Sequence, residues 1–242
     1  MDAGCNRKIK KLVIEMRKMN LLSGQPNPKI KRYVNDKLIT IKSRIIASYR
    51  GKEFYDGKRN NGMGGFYYDG RWKNIANIIC KKYKLDNNSS VLQLGAQKGF
   101  LLHDIKNKFP KIKIVGLDYS NYAINKAMKN VRNNIKKVEG YSNLNFKKNS
   151  FDFVIALGVV YAYDLTGVIA VLKEIQRVSK RNSYITLGSY ETQKEYLQLL
   201  QWMKIGTTVL KEKEWREVLK HVKYSGDYEF SNAKTLNLVT KK

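Results

Sequence analysis

The stretch from Ser90 to Ser120 constrains the fold of this 242-residue chain more than any other part of the sequence. It reads SVLQLGAQKGFLLHDIKNKFPKIKIVGLDYS: an apolar run, a turn between Gly95 and Gly99, a helical pattern stopped by Pro110, and a second apolar run ending at Asp118. This order predicts a strand, a turn, a helix and a second strand, which together form one βαβ unit. One interpretation is that these glycines form only a tight turn. The acid that ends the second strand favours a binding site, because it is placed to accept hydrogen bonds from a ribose diol.

Two segments of the sequence resemble motifs of class I S-adenosylmethionine-dependent methyltransferases. VLQLGAQKG followed by IVGLDYS resembles the pattern V-L-D-x-G-x-G-x-G and the acid that ends the next strand. NLNFKKNSFDFVIALGVV and the segment after it resemble the family's fourth strand and the helix that follows. The resemblance covers roughly residues 69–189, and the flanks, including GGFYYDGRW, resemble one bacterial branch of small-molecule-type methyltransferases.

The resemblance implies a fold and a division of the chain. The fold is α/β: a doubly wound, mostly parallel seven-stranded sheet with an antiparallel last strand. We assign residues 1–72 to an N-terminal helical extension with a lid loop, and residues 73–242 to a Rossmann-like methyltransferase domain.

The resemblance also implies a function, which is transfer of a methyl group from S-adenosylmethionine to a small-molecule acceptor, leaving S-adenosylhomocysteine. The cofactor-binding residues that it implies are Gln93, Gly95, Ala96, Gln97, Gly99, Asp118, Tyr119, Ser142 and Leu157.

Two positions depart from the family pattern. Gln93 stands where the family has its first acid, and Gln97 stands where it has its middle glycine. Gln93 can accept a hydrogen bond from a methionine amino group but supplies no charge. These departures keep open a second class of function, a non-catalytic cofactor-binding or regulatory protein on the same fold. Within the enzyme class, lipid and RNA acceptors also stay open, although no N-P-P-Y-type tetrapeptide follows the fourth strand.

Residues 51–72 are rich in glycine and aromatic side chains, and long loops of this kind are usually functional or disordered. We interpret them as a lid over the active site; the alternative is a connector whose aromatic side chains pack on the core. The predicted substrate-binding residues, from this segment and from later ones, are Asp56, Tyr67, Tyr68, Arg71, Tyr163, Tyr190 and Trp202.

Methyl transfer from a sulfonium is an in-line displacement, so the protein has mainly to orient the reactants and exclude water. An amine or hydroxyl acceptor would be helped by a base. The predicted catalytic residues are Tyr161, Asp164 and Tyr55.

Hydrophobic spacing predicts the remaining elements. We expect helices over residues 6–20, 29–49 and 120–133, a third strand near residues 137–139, and a closing hairpin over residues 224–230 and 235–240.

The net charge of +27 comes from 36 lysines and 11 arginines against 20 acidic residues. Because lysine is spread along the chain without arginine clusters, we expect no specific nucleic-acid partner. No apolar run reaches about 18 residues, so no membrane span is expected. The basic helix over residues 6–20 could lie on a membrane surface, but such a helix more often packs on its own domain. Two cysteines without pair spacing suit the cytoplasm, and two histidines without a cysteine cluster predict no metal site.

Overall fold

The computed structural model describes residues 16–22, 25, 27, 29–35 and 37–241. Within these residues the chain forms ten strands and eight α-helices, with three short 3-10 turns at Arg59–Asn61, Arg132–Asn134 and Val160–Ala162. The strands are β1 (Arg17–Lys18), β2 (Arg32–Val34), β3 (Ser90–Leu94), β4 (Lys113–Asp118), β5 (Ile135–Lys137), β6 (Phe151–Ala156), β7 (Ser179–Tyr190), β8 (Leu210–Lys211), β9 (Asp227–Ser231) and β10 (Leu238–Thr240). The helices are α1 (Ile41–Ser48), α2 (Lys52–Tyr55), α3 (Trp72–Lys82), α4 (Phe100–Lys108), α5 (Asn121–Asn125), α6 (Leu165–Val178), α7 (Gln193–Trp202) and α8 (Glu212–His221).

The central sheet has the strand order β1-β9-β7-β6-β3-β4-β5, and β8 pairs with the end of β7. The chain winds outward from β3 to β4 and β5 on one side, then crosses to β6, β7 and β9 on the other. The predicted doubly wound α/β fold is therefore confirmed. The point where the winding reverses lies between β3 and β6, and in open α/β sheets ligands bind beyond the carboxyl ends of the strands at such a point.

Both faces of the sheet are covered by helices, which is why β3 and β6 read as continuous apolar runs. On one face Leu92 and Val154 pack with α6 and α8, where Trp215 is fully buried. On the other face Val91 and Phe153 pack with α3 and α4. These two layers hold β3 and β6 rigidly, so the loops at their carboxyl ends have fixed starting points.

The predicted antiparallel last strand and closing hairpin are wrong. β9 runs parallel to β7, and all strand pairings within the described residues are parallel. Helix α8 returns the chain along the sheet, so β9 enters beside β7 in the same direction. After β9, the Asn232 side chain accepts hydrogen bonds from the N–H groups of Lys234 and Thr235. This turn carries β10 away from the sheet, where it pairs with β2.

The N-terminal segment also differs from prediction. Residues 6–15 of the predicted first helix lie outside the described residues; residues 17–18 form β1, because Arg17 pairs with the buried carboxylate of Asp227 in β9. Of the predicted helix over residues 29–49, only α1 is helical. The Thr40 side chain accepts a hydrogen bond from the Ser43 N–H, which starts α1 at Ile41. The extension therefore contributes strands to both sheets.

Two smaller predictions are also corrected. The helix expected over residues 120–133 ends at Asn125, and the Met128 N–H donates instead to the carbonyl of Lys98 in the glycine turn. The third strand begins at Ile135, two residues before its predicted start. Among the helices of the described part of the chain, none has the length and hydropathy needed to cross a membrane.

Candidate active site

The turn after β3 has the backbone geometry of a ligand-binding loop. Gly95, Gln97 and Gly99 all have left-handed φ angles, of +68°, +53° and +71°. A Cβ atom on Gly95 would lie 2.6 Å from Val159, and one on Gly99 would lie 2.8 Å from Ile135, so these two positions require glycine. Gln97 adopts the same conformation with a side chain, at a cost of roughly 1–2 kcal/mol.

Asp118 at the end of β4 is locked to this turn. Its two carboxylate oxygens accept hydrogen bonds from the backbone N–H groups of Gln97 (2.7 Å) and Ser120 (2.8 Å). Burial raises the pKa of Asp118 above its usual value, and these two donors oppose the shift. Each oxygen retains a lone pair, so the carboxylate can accept further hydrogen bonds.

A cavity of about 220 Å3, the Gln93 cavity, lies beneath the turn. Gln93 is buried, and its Oε1 atom has no hydrogen-bond partner among the described residues. An unsatisfied buried acceptor costs about 1–3 kcal/mol, so this oxygen marks a place where a donor would be stabilised. The cavity is lined by Met63, Phe66, Trp72, Gln93, Gly95, Ala96, Gln97, Phe100, Leu101 and Leu157.

A second cavity of about 280 Å3, the Trp202 cavity, lies beyond the carboxyl end of β6. Met63, Gln97 and Leu157 line both cavities, so the two spaces adjoin at the glycine turn. The other lining residues of the Trp202 cavity are Arg50, Phe54, Arg59, Gly62, Gly158, Tyr161, Leu199, Trp202, Met203, Lys204, Ile205, Ser231 and Leu236.

Three tyrosines fill the space beside the turn. The Tyr141 hydroxyl accepts from the Gly95 N–H (3.1 Å) and donates to the Leu117 carbonyl (3.3 Å). The hydroxyls of Tyr119 and Tyr163 contact each other, and the Tyr163 hydroxyl also accepts from the Tyr141 N–H. Tyr119 also packs against Tyr141, with ring centroids 4.7 Å apart, and its role in binding the cofactor stays a prediction. Ser142 is exposed and lines a separate cleft, so the side chain that reaches the turn here is Tyr141, which sequence reasoning missed.

The segment 51–71 is fastened to the turn by a buried ion pair. The Lys98 ammonium donates to both carboxylate oxygens of Asp56 (2.7 and 2.8 Å) and to the Phe66 carbonyl. Tyr122 also donates to Asp56. Burial would raise the pKa of Asp56, but the hydrogen bonds from Lys98, Tyr122 and the Phe66 N–H outweigh it and hold the pKa below its usual value. Asp56, predicted to bind substrate, is thus engaged inside the protein.

The other predicted lid residues lie apart from the two cavities. Tyr68 donates to Asp104, Arg71 forms an exposed ion pair with Asp69, and Tyr67 is 72% exposed. Tyr55 is fully buried and its hydroxyl has no hydrogen-bond partner among the described residues. The aromatic side chains of the segment therefore include core-packed ones, and the lid role stays a prediction.

Of the predicted catalytic and later substrate-binding residues, Tyr161 and Trp202 line the Trp202 cavity. Asp164 is an exposed cap of α6, where its carboxylate accepts from the Gly167 N–H. Tyr190 packs against Tyr196, with ring centroids 4.8 Å apart. Sequence reasoning missed three cations that line the Trp202 cavity; they are Arg50, Arg59 and Lys204. An excess of basic residues in the first 50 positions was the only sequence signal, and it pointed to Arg50 alone.

Comparisons with known proteins agree with this geometry. The family described as "Methyltransferase domain" matches residues 85–238. No curated protein matches the sequence. The solved structure of the [4+2]-cyclase SpnF is similar with a TM-score of 0.50 and 14% identity, over 86% of this chain and 74% of that one.

Two further solved structures are similar over smaller parts of the chain. The YcgJ protein from Bacillus subtilis has a TM-score of 0.49 and 16% identity, over 61% of this chain and 66% of that one, slightly less than two thirds. A SAM-dependent methyltransferase from Archaeoglobus fulgidus has a TM-score of 0.46 and 15% identity, over 71% of each chain. The family match covers most of the chain, and it includes β3, the glycine turn and Asp118. The chain therefore belongs to the methyltransferase domain family: it is a class I methyltransferase, of the group that depends on S-adenosylmethionine.

Proposed function

We propose that this chain transfers a methyl group from S-adenosylmethionine to a small-molecule acceptor bound in the Trp202 cavity. The observation that carries the proposal is the junction of the two cavities at Gln97 and Leu157, directly beyond β3 and β6. A volume of about 280 Å3 lies near the lower limit of small-molecule sites, which span roughly 300–1,000 Å3. Such a space suits a small acceptor better than a segment of a polymer.

The residues around the Gln93 cavity fit the cofactor. Gln93 offers a buried oxygen without a partner, which is what the cofactor's ammonium group needs. Gly95 and Gly99 leave the turn free of side chains at two left-handed positions. Gln93 would hold the methionine ammonium, and Asp118 would hold the ribose through its remaining lone pairs.

When bound, the cofactor would supply a sulfonium methyl group for displacement by the acceptor's lone pair, with the sulfur keeping the electron pair of the broken C–S bond and water accepting any proton lost from the acceptor atom. Tyr161 borders the Trp202 cavity, and its hydroxyl has no hydrogen-bond partner within the described residues. Burial raises the pKa of Tyr161, so the phenol stays protonated at neutral pH. It therefore orients the acceptor by a hydrogen bond rather than taking its proton.

One observation favours a second candidate function, a cofactor-binding protein without turnover. The Gln97 side chain lines both cavities from a position where the family usually has glycine, so it stands between the proposed donor and acceptor. In that case the cofactor would bind but no methyl group would move.

Calorimetry with S-adenosylmethionine and S-adenosylhomocysteine tests both candidates. We expect Gln93→Leu to weaken binding about tenfold, because one hydrogen bond to a charged group is lost. Gln201→Leu, on α7 and outside both cavities, is the matched control. Asp118→Ala should weaken binding by a similar factor.

The same protein is then assayed for S-adenosylhomocysteine release with a panel of small acceptors. Turnover supports the first candidate, and tight binding with no turnover across the panel supports the second. A wild-type protein that binds neither form of the cofactor contradicts both.

A further inference from the structure

The Trp202 cavity has an unbalanced charge. Three cationic side chains, from Arg50, Arg59 and Lys204, contribute to its lining, and none of its lining residues is an aspartate or glutamate. Several basic side chains elsewhere have carboxylate partners: Arg17 pairs with Asp227, Lys98 with Asp56 and Arg177 with Glu174. The cavity therefore gathers positive charge that the protein itself does not neutralise.

Arg59 is held in place with part of its guanidinium unused. Its Nη1 atom donates to the carbonyls of Gly62 (2.8 Å) and Met63 (3.0 Å), and its guanidinium lies over the Trp202 ring at 4.5 Å from the ring centroid. The Nε and Nη2 donors have no hydrogen-bond partner among the described residues. A guanidinium fixed in this way presents preorganised donors to an anion.

Lys204 is the second cation of the Trp202 cavity, and its side chain also lies close to the Trp202 ring. Its ammonium lies 5.2 Å from the Trp202 ring centroid, and its one hydrogen bond within the described residues is a long one, 3.4 Å, to the Trp202 carbonyl. Burial, together with the charges of Arg59 and Arg44, lowers the pKa of Lys204 to about 8. Arg44 donates to the carbonyls of Leu200 and Met203 and is not among the lining residues, so it adds charge near the cavity without bordering it.

Arg50 is the third cation that lines the Trp202 cavity. Its side chain lies over the Phe54 ring, 5.3 Å from the centroid, and its guanidinium has no hydrogen bond or ion pair within the described part of the chain. Burial raises the pKa of Asp118 and the charge of Arg50 opposes that shift, but the hydrogen bonds that the Asp118 oxygens accept come from the backbone N–H groups of Gln97 and Ser120. Arg50 therefore remains available to a ligand.

We propose that the methyl acceptor is an amphipathic anion, whose carboxylate or phosphate group is bound by Arg59, Lys204 and Arg50. Its apolar body packs on the uncharged lining of the same cavity, which includes Phe54, Met63, Leu199, Trp202 and Leu236. This proposal rests on the proposed function, since it names the acceptor of that site. The three cations line the Trp202 cavity and not the Gln93 cavity, which separates them from the place proposed for the methionine ammonium.

The test is a titration of the full chain with three probes of similar shape: benzoate, phenyl phosphate and neutral benzamide, each in the presence and absence of saturating S-adenosylhomocysteine. We expect one or both anions to bind at least tenfold more tightly than benzamide. The stronger anion identifies the carboxylate or the phosphate as the preferred group. Equal affinity for all three probes, or no binding of either anion at tens of millimolar, overturns the proposal.

Variants that remove one positive charge each show which residues bind the anion. Arg59→Gln and Lys204→Gln should each weaken binding of the anion about tenfold, with S-adenosylhomocysteine affinity changed less than twofold. Lys194→Gln, an exposed cation on α7, is the matched control and should change neither. If the variants weaken S-adenosylhomocysteine binding and leave the anion unaffected, these cations serve the cofactor's carboxylate and the proposal is wrong.

Proton uptake on anion binding is a second measurement. Replacing Lys204 would not change this uptake if the residue had only a structural role. Near its pKa of about 8 the Lys204 amine is about half protonated, and a bound anion would raise that pKa. At pH 8 anion binding should therefore take up as much as about half a proton, measured from calorimetric heats in two buffers, and Lys204→Gln should abolish the uptake. Burial raises the pKa of Tyr161, an ionisable phenol of the cavity lining, so it stays protonated at this pH and does not contribute to the uptake.

The two proposals fail in different ways. If the protein does not bind S-adenosylhomocysteine, the proposed function is wrong. The preference of the cavity for anions is then still tested by titrating the unliganded protein with the three probes. If the protein binds S-adenosylhomocysteine but binds benzamide as tightly as the two anions, the inference about the acceptor is wrong and the proposed function is unaffected.

Discussion

Replacing Lys98 with methionine tests how firmly the segment 51–71 is fastened to the glycine turn. Lys98→Met removes three hydrogen bonds, two to the Asp56 carboxylate at 2.7 and 2.8 Å and one to the Phe66 carbonyl at 2.8 Å. Removing one partner of a buried ion pair costs about 3–5 kcal/mol. The Asp56 side chain is 22% exposed, and Tyr122 still donates to it, so we expect a loss near 3 kcal/mol at the lower end of that range.

Urea denaturation measures this loss directly, and thermal unfolding should show a decrease in Tm of about 6–12 °C for a chain of this size. Lys58→Met, an exposed lysine of the same segment, is the control and should change stability by less than about 0.5 kcal/mol. Adding Asp56→Asn to Lys98→Met should recover about half of the loss, because the amide still accepts from Tyr122 without leaving a charge unpaired. A loss under about 1 kcal/mol for Lys98→Met, no larger than that of the control, would refute the reasoning.

The same ion pair gives a pH dependence with a definite sign. The folded-state pKa of Asp56 is held below its usual value, so its stabilising contribution is present above about pH 4 and is lost as the pH falls through the folded pKa. The difference in unfolding free energy between the wild type and Lys98→Met should therefore be full at pH 7 and shrink below about pH 4. A difference that grows with acid would contradict this assignment.

Three further predictions concern the turn, the core and the cavity. Gly99→Ala should cost about 2–4 kcal/mol in urea denaturation, since it adds strain and a clash with Ile135, whereas Gly70→Ala, with a similar φ but open space, should cost only about 1 kcal/mol. Trp215→Phe should cost about 2–3 kcal/mol by the same measurement, because its buried indole N–H donates to the Gly188 carbonyl at 2.7 Å. Tyr161→Phe should lower the single-turnover rate more than cofactor affinity once an acceptor is known, and equal losses in both would assign Tyr161 to the cofactor instead.

The sequence predicted the centre of the fold because the signals there are local. Each of β3, β4 and β6 is a strand of five or six residues in which apolar side chains predominate, and the glycine turn lies directly between β3 and α4. The direction of β9 was not predictable in this way. An apolar strand pattern is the same in either direction, and the direction here is set by how α8 crosses the sheet.

The part of the candidate site around the glycine turn was predicted because its residues belong to one motif, and Tyr161 and Trp202 were the predicted residues outside it that line a cavity. Gln93 lies in β3 and Leu157 directly follows β6, both within segments that the resemblance identified, and both line the Gln93 cavity. Tyr141 reaches Gly95 across 46 residues of sequence, and its hydroxyl bond depends on the packing of β5 and the turn after it. Arg59 and Lys204 meet only because the segment after α2 packs against the end of α7. No local pattern contains that information.

The pairing of β2 with β10 has a consequence for how the cavity is completed during synthesis. Arg32 donates to the carbonyl of Leu236, 204 residues further along the chain, and Leu236 lines the Trp202 cavity. A ribosome adding about 5–20 residues per second would therefore leave β2 without its partner for at least about ten seconds. Once β6 has also been made, the half of the molecule around β3 and β4 can form, while the wall of the Trp202 cavity that contains Leu236 is still missing. The lining of the Gln93 cavity is complete after Leu157, and that of the Trp202 cavity only after Leu236, so the two cavities are completed at different stages of synthesis.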